Sequence, residues 1–307
     1  MRKLLFFILA IFILLNLVLA GCSPAEQDDT NKPIIVTTIF PLADIIKNIA
    51  GDNFEVIYLI KPGLNPHTFE PTPDTIVKIN KSKLIFKVGF GFEFWLKKIL
   101  SSGMTPVNLS KHITPITKYH YGATVNNGAS DNENDKHGFH DPHYWLSPKN
   151  ILIIIPQIIE ALQKTFPEHR DTFEENSNKY TKKIKELDNY FRDSLLQCNN
   201  RKYIAYHPAW LYLSRDYDLE MVDVISKKPG QEPSPGDIAE IIEKIKAENI
   251  KAVFSEREAP QNIPNILVNE TGIKLIILDP LGGSKELNSY IKLMKQNINS
   301  IKEGLCE

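Results

Sequence analysis

The chain has 307 residues, 42% of them apolar and 24% charged, with a formal net charge of −1. This composition can bury the cores of one or two domains of ordinary size. The near-neutral balance argues against nucleic-acid binding, which calls for a basic face, and no polybasic or acidic block exceeds a few residues.

Arg2 and Lys3 precede an apolar run from Leu4 to Ala20, interrupted only by Asn16, that closes in Leu19-Ala-Gly-Cys22. A charged start, an apolar middle and a small-residue cleavage site make residues 1–21 read as a secretory signal; the alternative is a membrane-spanning helix, for which the run is long enough. The small pair before Cys22 resembles the lipobox of bacterial lipoproteins. That implies cleavage before Cys22 and a lipid on its sulfur, which would tether the body of the protein to a membrane surface. The polar residues of 22–32 read as a flexible tether. With Cys22 acylated, Cys198 and Cys306 are the only thiols left, and outside the cytosol two thiols can pair. Each closes a predicted helix, and the sequence leaves both pairing and two unrelated thiols open.

From Pro33 onward short β-branched runs alternate with helical ones. Ile34 to Phe40 is a predicted strand, and Leu42, Ile45, Ile46 and Ile49 recur at helical spacing until Gly51. Strands follow at Phe54–Ile60, Leu84–Val88 and Pro106–Leu109, with helices at Asp74–Lys81 and Phe92–Leu100. Residues 117–141, rich in Asn, Gly, Asp and His, lack the apolar content to order themselves and read as an exposed loop. Pro148 opens a helix with Pro156 inside it. Glu168 to Gln197 is the longest helical run, with Phe173, Tyr180, Ile184, Leu187, Phe191 and Leu195 on one stripe. About thirty residues at ~1.5 Å each give ~45 Å, longer than one lobe needs, so this helix is a strut. Strands then recur at Lys202–His207, Glu220–Ser226, Ala252–Glu256 and Lys274–Pro280, with helices at Pro208–Arg215 and after Ser234, an N-cap followed by Pro235. Repeated βα units predict an α/β fold: parallel sheets flanked by helices in two lobes joined by one long rigid helix. The divisions are 33–166, 167–198 and 199–307.

Four potential metal ligands each sit beside a proline: His67, His143, His207 and Asp279, separated by 76, 64 and 72 residues. His207 and Asp279 follow predicted strands directly and His67 follows one by a short loop. In open α/β sheets ligands collect at such carboxyl ends. Each residue alone reads more readily as a loop histidine or a turn-forming aspartate; it is the four together that point to one site between the lobes. Three imidazoles and a carboxylate suit four-coordinate Zn²⁺, whereas Mn²⁺ favours oxygen-rich sites. Glu256, at a strand end, reads either as a supporting group or as simply polar. His112 and His169 have no chelating company and read as surface residues.

The segments PGLNPHTFEPTPD, DPHYWLSP, AYHPAWLYLSRDYDLE, SPGDIAEIIEKIK and LDPLGG resemble the successive motifs of the metal-binding lipoproteins of ABC uptake transporters, the cluster A-I (ZnuA/TroA-like) solute-binding proteins. The resemblance covers essentially the whole mature chain. It implies metal bound in a cleft between two bridged lobes, His67, His143, His207 and Asp279 as ligands, an ABC permease as partner, and a monomer on the outer face of the membrane. Histidine at 207 resembles the zinc branch, since the manganese branch tends to have Glu there. Zinc members often carry a long His- and acid-rich loop where 117–141 lies. Here only His120, His137 and His140, with Asp131, Glu133 and Asp135, stand in it, and a weak second ion and a plain solvated insertion stay open. A closed four-ligand site leaves no position for catalytic water, so the expectation is capture rather than an enzyme. The rival readings are a manganese or iron carrier of the same class, a zinc hydrolase with Asp279 or Glu256 as base, and a zinc-containing surface adhesin.

Overall fold

The computed structural model describes residues 32–117, 140–227 and 232–306. The signal, Cys22 and almost all of the tether lie outside the described residues, as do His120, His137, Asp131, Glu133 and Asp135. Among the described residues no helix is long and apolar enough to cross a membrane.

Strands β1 (Ile34–Thr37), β2 (Glu55–Tyr58), β3 (Leu84–Lys87) and β4 (Val107–Asn108) form one sheet; β5 (Lys202–Ala205), β6 (Glu220–Val224), β7 (Ala252–Glu256) and β8 (Lys274–Leu278) form the other. Their orders, β2-β1-β3-β4 and β6-β5-β7-β8, are the same topology used twice, and every pair is parallel. The helices are α1 (Phe40–Ala50), α2 (Pro73–Lys81), α3 (Leu96–Ile99), α4 (Pro148–Thr165), α5 (Arg170–Leu195), α6 (Leu211–Tyr217), α7 (Pro235–Ala247), α8 (Asn262–Thr271) and α9 (Tyr290–Leu305). The two sheets flanked by helices, with one long helix between them, match the predicted class. That helix is α5, 26 residues preceded by a 3-10 turn at Pro167–His169.

Local chemistry explains where elements start. Thr72 and Ser234 each cap a helix reciprocally with the residue three positions on, Thr75 and Asp237, and a proline occupies the first turn in both. The predicted helix at Phe92–Leu100 is a correction: only Leu96–Ile99 is helical. The buried Glu93 carboxylate accepts the amides of Val88 and Gly89, at 2.6 and 3.0 Å, and the Thr38 hydroxyl at 2.9 Å. These bonds hold the chain in turns over 90–95 before a helix can form. Burial pushes the Glu93 carboxyl above the usual carboxylate range. The helix expected at Pro208–Arg215 runs instead over Leu211–Tyr217 and ends at Asp218 in the left-handed region, φ 60°.

Two further readings are corrected. Asp141, placed at the end of an exposed loop, is 1% exposed; its amide donates to Ile116 at 2.8 Å and the Tyr212 hydroxyl donates to its carbonyl at 2.9 Å. Neighbouring His140 bridges Thr117, so the ends of this segment are tied together. His169 is not a plain surface residue, because its half-buried ring lies against Phe54 and Phe173.

One apolar cluster runs through both lobes, from Ile35 and Phe86 through Trp145, Phe191 and Tyr203 to Met294, and a smaller one lies around Ile241 and Val253. Polar ties cross it: Trp145 Nε1 donates to the Pro280 carbonyl at 2.8 Å, Tyr290 Oη to the Trp145 carbonyl at 2.7 Å, and the Tyr290 amide to Asp44 Oδ2 at 2.9 Å. Burial raises the Asp44 carboxyl above its ordinary value. Cys198 and Cys306, which end α5 and α9, are joined in a disulfide spanning 108 residues.

Candidate metal centre

His67 is delivered by the loop after β2. The Asn65 side chain accepts the His67 amide at 2.9 Å, and Pro66 opens a 3-10 turn over Pro66–Thr68, so the short segment is stiff. The His67 ring meets Phe92 edge-on, centroids 5.8 Å apart.

His143 is 4% exposed and precedes the 3-10 turn Tyr144–Leu146. Asp141 Oδ1 accepts its amide at 3.0 Å and lies 2.6 Å from its ring Nδ1. Trp145 packs beside the ring at 5.2 Å between centroids.

His207 is placed by strand register. Ala205 pairs with Phe254 across β5 and β7, so the residues two further on, His207 and Glu256, stand side by side. Glu256 Oε1 is 2.6 Å from His207 Nδ1. The sequence left Glu256 open between a supporting and a plainly polar role; it contacts the imidazole directly.

The three rings converge from distant parts of the chain. Ring centroids of His67 and His143 are 5.1 Å apart, those of His143 and His207 5.2 Å, and those of His67 and His207 5.8 Å. One ligand atom from each lies within 4.8 Å of the other two, and the Nε2 atoms of His67 and His143 are 3.1 Å apart. Neutral imidazole nitrogens gathered this closely can share one divalent cation.

Asp279 is not a member of that group. It directly follows β8, with its backbone held by Asn297, whose Oδ1 accepts its amide at 2.9 Å and whose Nδ2 donates to its carbonyl at 2.7 Å. Its Oδ1 accepts the amides of Leu281 and Gly282, at 2.9 and 2.7 Å. The turn requires Gly282 and Gly283 at φ +65° and +86°, and a Cβ on Gly283 would press on Phe40 and Pro62 at 3.1–3.2 Å. Glu256 pairs with Leu278 across β7 and β8, which puts it between His207 and Asp279 on the strand ends. Burial, reinforced by the negative charges of Asp279 and Glu256, raises the carboxyl of Glu258 nearby. His140 is not a member of the group of three, and its ring lies against Phe90 at 5.4 Å between centroids.

Sequence reasoning missed Asp141 as the residue in contact with His143. The signal was present: an Asp-Pro-His run holds the carboxylate two residues ahead of the imidazole, where it reaches both the amide and the ring.

Residues 35–304 match the family described as zinc-uptake complex component A, periplasmic. The chain belongs to this family. It is 31% identical to the zinc-binding lipoprotein AdcA of Streptococcus pneumoniae R6 over 94% of this chain, but spans only 58% of that protein's length. It is 30% identical to the high-affinity zinc uptake system protein ZnuA of Bacillus subtilis over 98% of this chain and 97% of that one. Among solved structures, a crystal structure of ZnuA covers 90% of this chain and 100% of its own, with a TM-score of 0.78 at 27% identity.

Proposed function

We propose that the protein captures a divalent metal ion, Zn²⁺ in preference to Mn²⁺, outside the membrane and delivers it to the permease of an ABC transporter. The observation that carries this reading is the convergence of His67, His143 and His207, with ligand atoms within 4.8 Å of one another. Three nitrogen donors leave room for one more ligand in a four-coordinate zinc site, and Asp279 is the residue assigned to it. A site made mostly of nitrogen is poorly matched to manganese, which prefers oxygen.

In this proposal Cys22 carries the lipid that keeps the monomeric protein on the outer face of the membrane. Residues 33–166 and 199–307 form the two metal-binding lobes, and 167–198 the helix between them. The protein is a carrier and not an enzyme: a metal coordinated on all sides has no position for the water a hydrolase needs. The continuous core and the Trp145–Pro280 and Tyr290–Trp145 bonds support opening by a small tilt and loop movement rather than a wide hinge swing.

The test is competitive titration of metal-free protein with Zn²⁺ and Mn²⁺, alongside esterase and phosphatase assays with and without chelator. Binding of Zn²⁺ well ahead of Mn²⁺, with no metal-dependent turnover, is the expected result. Preference for Mn²⁺ would overturn the choice of ion, and zinc-dependent hydrolysis would overturn capture.

A further inference from the structure

His143, in DPHYWLSP, and His207, just beyond β5, are each met at Nδ1 by a carboxylate: His143 by Asp141 of the same segment, His207 by Glu256 at the end of the neighbouring strand β7. We propose that Asp141 and Glu256 are the positioning residues of the metal centre, fixing His143 and His207 as Nδ1–H tautomers so that both offer Nε2 to the ion. The inference rests on the metal-capture reading and goes beyond it by assigning roles to two residues that are not ligands.

The geometry carries this step by step. Asp141 Oδ1 and Glu256 Oε1 each lie 2.6 Å from Nδ1 of their histidine. An ionised carboxylate only accepts hydrogen bonds, so Nδ1 carries a proton in each ring, and a neutral ring then has its lone pair on Nε2. In keeping with this, the close approach between His67 and His143 is between their Nε2 atoms, at 3.1 Å. A negative oxygen behind the ring also raises the basicity of the nitrogen in front and prevents the ring from flipping.

The two carboxylates differ in how firmly they are held. The Asp141 and His143 side chains are 1% and 5% exposed, and the same Oδ1 also takes the His143 amide, while the backbone of Asp141 is pinned by Ile116 and Tyr212. The Glu256 and His207 side chains are 14% and 22% exposed, and their alignment comes from the β5–β7 register. His143 is therefore the fixed wall of the site and His207 the wall that can adjust. Loss of Asp141 removes a buried anchor, whereas loss of Glu256 releases one ring at the rim.

The experiment reads tautomers in the metal-free protein by long-range ¹H–¹⁵N correlation of the imidazoles, then zinc affinity by competition with a chromophoric chelator, for wild type, Asp141→Asn, Glu256→Gln and Glu256→Ala. Expected are Nδ1–H tautomers for both rings in wild type, a mixed or Nε2–H tautomer for His207 in Glu256→Ala, and zinc affinity about 10- to 100-fold lower in each variant. Glu256→Gln, which keeps an acceptor but removes the charge, should fall between wild type and Glu256→Ala. Should Asp141→Asn fail to fold, the rim pair still decides the matter. Nε2–H tautomers in wild type, or Glu256→Ala with wild-type affinity and an unchanged His207 tautomer, would overturn the proposal. The tautomers are read without metal, so wild-type protein that holds both rings as Nδ1–H but binds no zinc would support the positioning role while refuting capture.

Discussion

The two sheets have one topology but use their strand ends differently. In the first, β2 delivers His67 only after a loop stiffened by Asn65 and Pro66, and His143 arrives on the segment before α4. In the second, His207 and Asp279 come almost directly off β5 and β8, so register alone brings Glu256 to His207. The first lobe contributes the most deeply buried of the three imidazoles, His143, and the second the more open His207. A site built this way can be ordered before metal arrives on one wall and complete itself on the other.

The largest effect expected from this asymmetry is on affinity. Replacing His143 by Ala should weaken zinc binding by roughly 100-fold or more, taking about a quarter of the ~10–16 kcal/mol typical of a four-ligand zinc site. Replacing His207 should cost less, because the open wall can recruit water. Titration calorimetry compares the two, and equal losses would erase the distinction between the walls. In the second lobe, Cys306→Ser should lower unfolding free energy by about 2–4 kcal/mol through release of the 108-residue span, measured by urea denaturation without reductant. Trp145→Phe leaves the Pro280 carbonyl without its donor and should cost about 1–3 kcal/mol. It should also loosen Asp279, seen as faster hydrogen exchange at Leu281 and Gly282.

The smallest effect concerns pH. Burial raises the carboxyls of Asp44 and Glu93 above the ordinary carboxylate range. The native state therefore holds protons that the unfolded chain has released, and stability contributed by these groups falls as pH rises from the ordinary carboxylate value through their raised values. Denaturation midpoints measured across that window should show the slope, and Asp44→Asn should flatten it. An unchanged slope would contradict the burial account of Asp44.

Much of the fold was legible because its signals are local. β-branched runs gave the eight strands of the described residues with their ends displaced by up to a few residues, and the stripe from Phe173 to Leu195 gave α5 nearly whole. Ser234 with Pro235 fixed the start of α7. The segment from Phe92 was misread because its conformation is set by a carboxylate reaching back to Val88 and Gly89, a side-chain-to-backbone bond that competes with helix and leaves no periodicity. Asp141 was misread for a related reason: it closes a polar stretch, yet its burial comes from Tyr212, 71 residues away. The disulfide was open in the sequence because nothing local says that the ends of α5 and α9 meet.

The same distinction applies to the site. Proline-flanked histidines marked the three rings that converge: His67 sits within a stiff 3-10 turn, His143 just before another, and His207 just past the end of β5. The proline beside Asp279 marked a turn as well, one whose Oδ1 is engaged by Leu281 and Gly282, and the residue stands outside the group of three rings. The carboxylates at the two Nδ1 atoms come from register, for Glu256, and from an i, i+2 relation, for Asp141. The first becomes visible only once the partner strand is known, whereas the second stands in the sequence.

The central claim is that three imidazoles from separate parts of the chain share one ion. X-ray absorption at the zinc edge of the stoichiometrically loaded protein tests it most directly. The account predicts a first shell of three imidazole nitrogens at about 2.0–2.1 Å with one oxygen, and one imidazole fewer in His143→Ala. A shell with sulfur or with fewer than two imidazoles, or a spectrum unchanged by His143→Ala, would contradict it.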